Sequence, residues 1–196
     1  MKPNLFIVAV ALPLSGCISF GAKPPPSLLN LTSLASQTAT AARRVTAADA
    51  IAISIPATPQ AIATTRVAVS DGGIAIAYVE KALWVETPAR LFQRLLGETV
   101  AAKTGRFVLD PRQTALTPST QLSGQLLRFG IDAPSGDAVV IYDAVLSREG
   151  GKQFLSRRFE ARAKAAAIEA NASGKAINGA ANQVAGDVAD WINDSK

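Results

Sequence analysis

The chain has 196 residues, of which 48% are apolar and 18% are charged, so it can bury one core of ordinary domain size. It carries a net charge of +5, no histidine and a single cysteine. These numbers exclude catalytic sites that need an imidazole, zinc sites built from cysteine and histidine, and any disulfide within one chain. The composition favours a protein that binds or scaffolds, and we expect no cofactor.

The N-terminus has the pattern of a bacterial lipoprotein signal peptide. A lysine precedes an apolar run, residues 5–14, which is too short to cross a bilayer core of about 30 Å. The run ends in Leu-Ser-Gly-Cys at 14–17, which is typical of cleavage before a cysteine that receives lipid. We predict a signal peptide at 1–16 and acylation of Cys17 by chains such as palmitate. The alternative is an N-terminal helix with an incidental buried cysteine.

The residues after this cysteine predict a tether and a location. Residues 17–27 contain three consecutive prolines, which favour extended polyproline geometry and therefore form a semi-rigid spacer. Ile18 stands where an aspartate would favour the inner membrane, so we expect a lipid anchor in the outer membrane. Residues 28–196 are predicted to form one domain on the periplasmic face of the envelope. Because of the anchor we expect no nucleic-acid partner, despite the positive charge.

Alternating apolar residues predict a meander of strands within this domain. Ile51, Ile53 and Ile55 are expected to share one buried face of their strand. Gly72 and Gly73 predict a hairpin turn between the next two strands. The predicted strands are 28–32, 49–56, 65–70, 74–79, 106–109, 121–131, 138–148 and 153–163, with a long loop at 33–48.

Two amphipathic helices are predicted, at 88–104 and 171–193. Gly105 suits the end of the first helix. We expect both helices to bury their apolar stripes, including Leu95 and Val184, against one side of a sheet, because no other element can cover them. The predicted fold class is therefore α+β, a mainly antiparallel mixed sheet packed against two principal helices.

The segment between the hairpin and the first helix resembles a known family. It reads YVEKALWVETP at 78–88, and leucines repeat along the helix that follows. With the lipoprotein motif, the proline tether and the C-terminal helix, it is similar to the ABC-type transport auxiliary lipoprotein family over residues 28–194. The resemblance implies a fold similar to the sheet-and-two-helix N-terminal domain of the periplasmic TolB protein.

The resemblance also implies a role in moving lipid between the two membranes of the envelope. Such lipoproteins accompany an ABC transporter whose substrate-binding subunit carries a mammalian-cell-entry domain, and we expect that subunit to be the partner. The chain has no GxxxxGK[ST] loop, in agreement with a subunit that does not hydrolyse ATP. A homo-oligomer that meets a symmetric transporter is left open. We expect docking without a deep lipid cavity, because one sheet face and two helix stripes use most of the apolar residues.

Docking is expected around Leu83 and Trp84, and at Arg90 and Arg94 on the following helix. Tryptophan is enriched in binding hot spots, but Trp84 is equally suited to the core. The two arginines could form a basic strip, or Arg94 could pair with Glu98 one turn further on. We predict no catalytic and no metal-binding residues.

Two other functions are left open by the residues. The chain could be a structural lipoprotein that braces the envelope without a role in transport. Alternatively, the carboxylates of Asp132, Asp137 and Asp143 could hydrolyse a glycoside if they lined a sugar cleft at a suitable separation. A polar cleft with shifted carboxylates would support the hydrolase, and a surface without a partner groove would support the structural protein.

Overall fold

The computed structural model describes residues 27–35, 45–109 and 118–195. The predicted signal peptide, Cys17, most of the tether and part of the expected loop at 33–48 lie outside the described residues. The strands are β1 (Ala50–Ile53), β2 (Arg66–Asp71), β3 (Ala75–Leu83), β4 (Phe107–Leu109), β5 (Thr120–Asp132), β6 (Asp137–Arg148) and β7 (Gln153–Lys164), the helices are α1 (Pro88–Thr104) and α2 (Ala170–Asp194), and a single 3-10 turn lies at Gln60–Ile62.

The strands form one mixed sheet whose long pairs are antiparallel. Along one side, the central strand β5 pairs with β6, which pairs with β7. Along its other side, β5 pairs in parallel with β1 and then with β2. β2 forms the predicted hairpin with β3, and β4 pairs in parallel with β1. The α+β class and the mixed, mainly antiparallel sheet are therefore confirmed.

Both helices cover the same face of the sheet. Tyr142 and Phe159 lie directly opposite each other on β6 and β7, so their side chains share one face. The ring of Phe92 on α1 lies 5.2 Å from that of Tyr142, and the ring of Trp191 on α2 lies 5.5 Å from that of Phe159. The buried residues that the two helices add to this core include Leu91, Leu95, Leu96, Ile177, Val184 and Val188.

The first helix begins and ends where the sequence predicts. Pro88 takes its first position, and Thr87 before it is extended, although the Thr87 side chain makes no capping hydrogen bond. Gly105 adopts the left-handed conformation with φ 67°, which ends the helix. Gly72 and Gly73 also have positive φ, as the hairpin turn requires.

The predicted strand at 49–56 is shorter in the structure. The strand ends at Ile53, and Ile55 is exposed rather than buried with Ile51 and Ile53. Pro56 has no N–H to continue the ladder, and the chain rejoins β5 only at an isolated bridge formed by Ala57.

The predicted first strand, 28–32, is also corrected. Leu29 forms one isolated parallel bridge with Trp84, and the remaining residues of the segment follow the helices instead of the sheet. The physical reason is that side chains of α2 satisfy the backbone of this segment, which leaves the sheet ladder after one pair.

Candidate docking and tethering site

The N-terminal segment, residues 27–35, enters the domain where β3 ends. Leu29 donates its N–H to the carbonyl of Leu83 at 2.7 Å, and its own carbonyl accepts the N–H of Val85 at 2.9 Å. The backbone bridge between Leu29 and Trp84 places the start of the segment beside Leu83 and Trp84, two of the residues that we expected to dock a partner.

Two asparagines one turn apart on α2 hold the segment further along. The Oδ1 of Asn178 accepts the N–H of Thr32 at 2.9 Å, and the Oδ1 of Asn182 accepts the N–H of Leu34 at 2.8 Å. The Nδ2 of Asn182 also donates to the carbonyl of Thr32 at 2.9 Å. The spacings match, because four helical residues rise about 6 Å and two extended residues about 6.6 Å. The segment therefore runs alongside α2 in register with its turns.

Arg94 completes this site from α1. Its Nη1 pairs with Oε2 of Glu86 at 2.6 Å, and its Nη2 donates to Oδ1 of Asn30 at 3.1 Å. Helical spacing suggests Glu98 as a partner of Arg94, and the structure shows an ion pair with Glu86, which precedes the helix. Arg94 thus helps to hold the segment. We call Trp84, Arg94, Gly174, Asn178 and Asn182 the tether site.

Trp84 lies in the core beneath this segment. It is 2% exposed, and its ring centroid lies 5.5 Å from that of Phe129. Its indole N–H has no hydrogen-bond partner among the described residues. The core interpretation of Trp84 therefore holds, and Trp84 is not an exposed anchor, because its ring packs against Phe129 within the core. Leu83 beside it is half-buried.

The accessible side chains next to the tether site are Glu80, Lys81, Val85 and Arg90, all of them exposed. We call these four residues the docking face. Lys81 has φ 56°, and the pairing of β2 with β3 shifts register here, so the edge strand bulges outward. Of the four residues predicted to dock a partner, Arg90 is fully on this surface, whereas Trp84 is not.

The sheet face opposite the helices carries an open groove of about 290 Å³. Arg128 stands in its wall and pairs with Asp132 at 3.0 Å. A second open groove, of about 440 Å³, lies beside Leu34 between the two helices. The lining of the first groove is mostly small or aliphatic and includes Pro59, Ile62, Ala68, Ile76, Leu127 and Gly130.

The carboxylates considered for hydrolysis are engaged in hydrogen bonds that favour the ionised form. Ser135 donates to Asp132 at 2.7 Å, and this bond, together with that from Arg128, lowers the pKa of the Asp132 carboxyl. Arg158 makes two contacts of 2.6 Å with Asp143 and lowers the pKa of that carboxyl as well. A general acid needs a raised pKa, so these two groups are suited to structure and not to proton donation. The third carboxylate considered for hydrolysis, Asp137, pairs with Lys164 at 3.3 Å.

Two other features that are common at functional sites are missing from the described part of the chain. Over residues 27–35, 45–109 and 118–195 no group of three potential ligands is placed to hold a metal ion. Within the same residues no helix has both the length and the apolar character needed to cross a bilayer.

Comparison with protein families shows the family to which this chain belongs. The profile of the ABC-type transport auxiliary lipoprotein component matches residues 30–189. The chain belongs to this family, in agreement with the resemblance seen in its sequence. In general terms, the chain is therefore an auxiliary lipoprotein of ABC-type transport in the cell envelope. No curated protein sequence matches the chain significantly.

Solved structures share the fold at low sequence identity. A crystal structure of an uncharacterized protein has a TM-score of 0.64 at 14% identity, covering 85% of this chain and 99% of that one. Protein XCC0632 from Xanthomonas campestris, a DUF330 protein, also has a TM-score of 0.64, at 15% identity, covering 87% of this chain and 94% of its own. A PelC dodecamer from Paraburkholderia phytofirmans scores 0.44 at 12% identity, covering 75% and 92% respectively. The implied similarity to TolB and the oligomeric state of this chain stay predictions.

Proposed function

We propose that this chain is a lipoprotein anchored through Cys17 to the periplasmic face of the outer membrane, where it serves an ABC-type lipid transport system. The observation that carries this proposal is the family match over residues 30–189. The Leu-Ser-Gly-Cys motif at 14–17 supplies the anchor, and Ile18 supports the choice of membrane.

The proposed partner is the transporter subunit that carries a mammalian-cell-entry domain. Residues 18–27 span at most roughly 35 Å, so the domain stays close to its membrane. It can meet only a subunit that reaches this surface across the periplasm. The docking face is the proposed contact, because its four side chains are exposed beside the tether site. Glu80 and Lys81 lie on the edge strand β3, Val85 follows it, and Arg90 lies on α1. The chain itself takes no catalytic step, and lipid does not enter a deep cavity within it.

Lipidation is tested by replacing the one thiol. The Cys17→Ser variant should remain an unprocessed precursor without labelled palmitate, because no thiol is left to receive the diacylglycerol. A Ser19→Ala variant, changed two residues away, should be processed and labelled like the wild type. Membrane fractionation after labelling measures both results. Equal label on the Cys17→Ser variant and the wild type would remove the proposed anchor.

Docking is tested with a photo-crosslinking amino acid placed in living cells at Glu80, Lys81 or Val85. Lys152, which is exposed in the turn between β6 and β7, is the matched control position. Trp84 is avoided because its replacement would disturb the core. Crosslinks to the mammalian-cell-entry subunit from the docking face and not from the control are expected. If a lipidated chain gives no such crosslink from any surface position, the structural-lipoprotein alternative is favoured.

A further inference from the structure

One end of the sheet is formed by three neighbouring turns. The end of β2 is joined to the β5–β6 turn, because Ala133 donates its N–H to the carbonyl of Ser70 at 2.8 Å. The same turn is joined to the loop after β7, since Ala165 donates its N–H to the carbonyl of Gly136 at 3.2 Å. Helix α2 begins at Ala170, directly after this loop. The three turns therefore share one end of the domain with the start of α2.

The chain that leads to the predicted lipid anchor runs towards this end as it leaves the domain. Leu34 bonds to Asn182, and Leu29 packs against Gly174 so closely that a Cβ there would lie 2.8 Å from its side chain. Read backwards, the segment thus approaches the first turn of α2. Two more residues, at about 3.3 Å each, bring Ser27 level with the start of the helix. We call this end of the domain the tether-exit end.

Large aliphatic side chains stand in water at the tether-exit end. Ile74, in the turn between β2 and β3, is 97% exposed, and Ile168, in the loop before α2, is 46% exposed. Leu28 is also exposed where the segment leaves the domain. A single exposed aliphatic residue is ordinary on a protein surface. Ile74 and Ile168 lie in turns of the tether-exit end, and Leu28 lies on the segment that leads towards it, so a bilayer at this end would cover apolar side chains.

The charges at this end favour an apolar contact over an electrostatic one. Asp132 pairs with Arg128, and Asp137 pairs with Lys164. Asp71 is exposed beside the hairpin turn and adds negative charge. Attraction to anionic head groups is therefore weak here, and contact with a membrane would depend little on salt.

We propose that the tether-exit end faces the bilayer and that Ile74 and Ile168 insert into its interfacial region. This inference rests on the proposed lipid anchor at Cys17. The tether site directs the segment towards this end, and α2 extends about 37 Å from it over its 25 residues. The orientation leaves the docking face on the side of the domain, where a subunit arriving from the periplasm can reach it.

The single native cysteine allows this orientation to be measured with the full lipidated chain. Acylation occupies Cys17, so an Ile74→Cys or Ile168→Cys variant offers one free thiol for an environment-sensitive fluorophore such as NBD. Phe154→Cys is the matched control, because Phe154 is 64% exposed and apolar but lies at the start of β7, at the opposite end of the sheet. Each labelled protein is reconstituted into vesicles of phosphatidylethanolamine and phosphatidylglycerol.

The labels at positions 74 and 168 should shift their emission to the blue and be quenched by lipids that carry a quencher on the acyl chain. The label at 154 should do neither, and high salt should leave the pattern unchanged. If the chain is acylated and bound to vesicles but the labels at 74 and 168 stay in water, the proposed orientation is overturned and the anchor is not. A chain that never receives an acyl group removes the anchor, and the orientation with it.

Discussion

Release of the N-terminal segment from the tether site should follow from replacing two side chains, Asn178→Ala and Asn182→Ala together. Both asparagines are on α2, and between them they accept the N–H groups of Thr32 and Leu34 and donate to the carbonyl of Thr32. The Nδ2 of Asn178 also donates to the Thr32 hydroxyl at 3.3 Å, and alanine removes all four hydrogen bonds to the segment.

The size of the effect follows from the exposure of these bonds. A hydrogen bond of this kind contributes about 0.5–1.5 kcal/mol net, and partly exposed bonds fall at the lower end of that range. Four bonds therefore contribute about 2 kcal/mol to holding the segment, which corresponds to a roughly 30-fold change in its opening equilibrium. Alanine favours helix more than asparagine does, by up to about 0.7 kcal/mol per residue, so the global stability should fall much less than the local stability.

Amide hydrogen exchange separates these local and global effects. The amides of Thr32 and Leu34 should exchange faster in the double variant, because they lose their acceptors. The amide of Leu29 is the decisive readout, since its acceptor is the carbonyl of Leu83 and neither asparagine touches it. If the segment opens as one unit, Leu29 should also exchange about 30 times faster, while amides of β6 keep their protection.

An Asn171→Ala variant is the matched control, because Asn171 is exposed in the first turn of the same helix and lies outside the tether site. It should leave the exchange of the segment unchanged. Unchanged protection of Leu29 in the double variant would refute the reasoning that the asparagines hold the segment as a unit. The same acceleration in the control would refute their specific role.

Three further changes test packing in the sheet, helix propensity in α1 and the ion pair of Asp132. Gly130→Ala should destabilise the domain by about 1–3 kcal/mol, because the new Cβ would collide with a backbone carbonyl of β2. Gly97→Ala on α1 meets only ordinary contact and should stabilise by up to about 1 kcal/mol, so thermal unfolding of both variants must show opposite shifts for the argument to stand. The hydrogen bonds from Ser135 and Arg128 lower the pKa of the Asp132 carboxyl below its ordinary value of 3.8. The unfolded chain therefore binds that proton more readily than the folded chain does. The contribution of Asp132 to folding stability is present above pH 3.8 and is lost as the pH falls through the lowered pKa. Urea unfolding at about pH 6 and pH 3 should show a smaller acid-induced loss of stability in Asp132→Asn than in the wild type, and equal losses would contradict this.

Local sequence patterns predict many of the helices and strands of this fold. The helix at 88–104 is predicted with its observed bounds, because Pro88 can begin a helix and Gly105 can end one without help from distant residues. The strands from Thr120 onwards also agree closely, since the turns between them contain glycine, with proline in the first. The lipoprotein motif at 14–17 is likewise local, and it belongs to sequence evidence alone.

The candidate site depends on contacts that local patterns do not carry. Trp84 has the same sequence neighbours whether it is exposed or buried, and its burial is decided by packing against Phe129 within the core. Arg94 has an acidic residue at helical spacing, and its ion pair with Glu86 forms because the chain before the helix folds back beside it.

The position of the N-terminal segment depends most clearly on tertiary contacts. Residues 28–32 have the composition of a short strand, and nothing near them indicates a helix as their neighbour. Their partners, Asn178 and Asn182, lie 146 to 150 residues further along the chain. The helix sets the spacing of these amides, but only the tertiary packing of α2 brings them next to the N-terminal segment. The sequence by itself therefore determines the elements and the anchor motif, and the tertiary structure determines where the N-terminal segment lies on the domain.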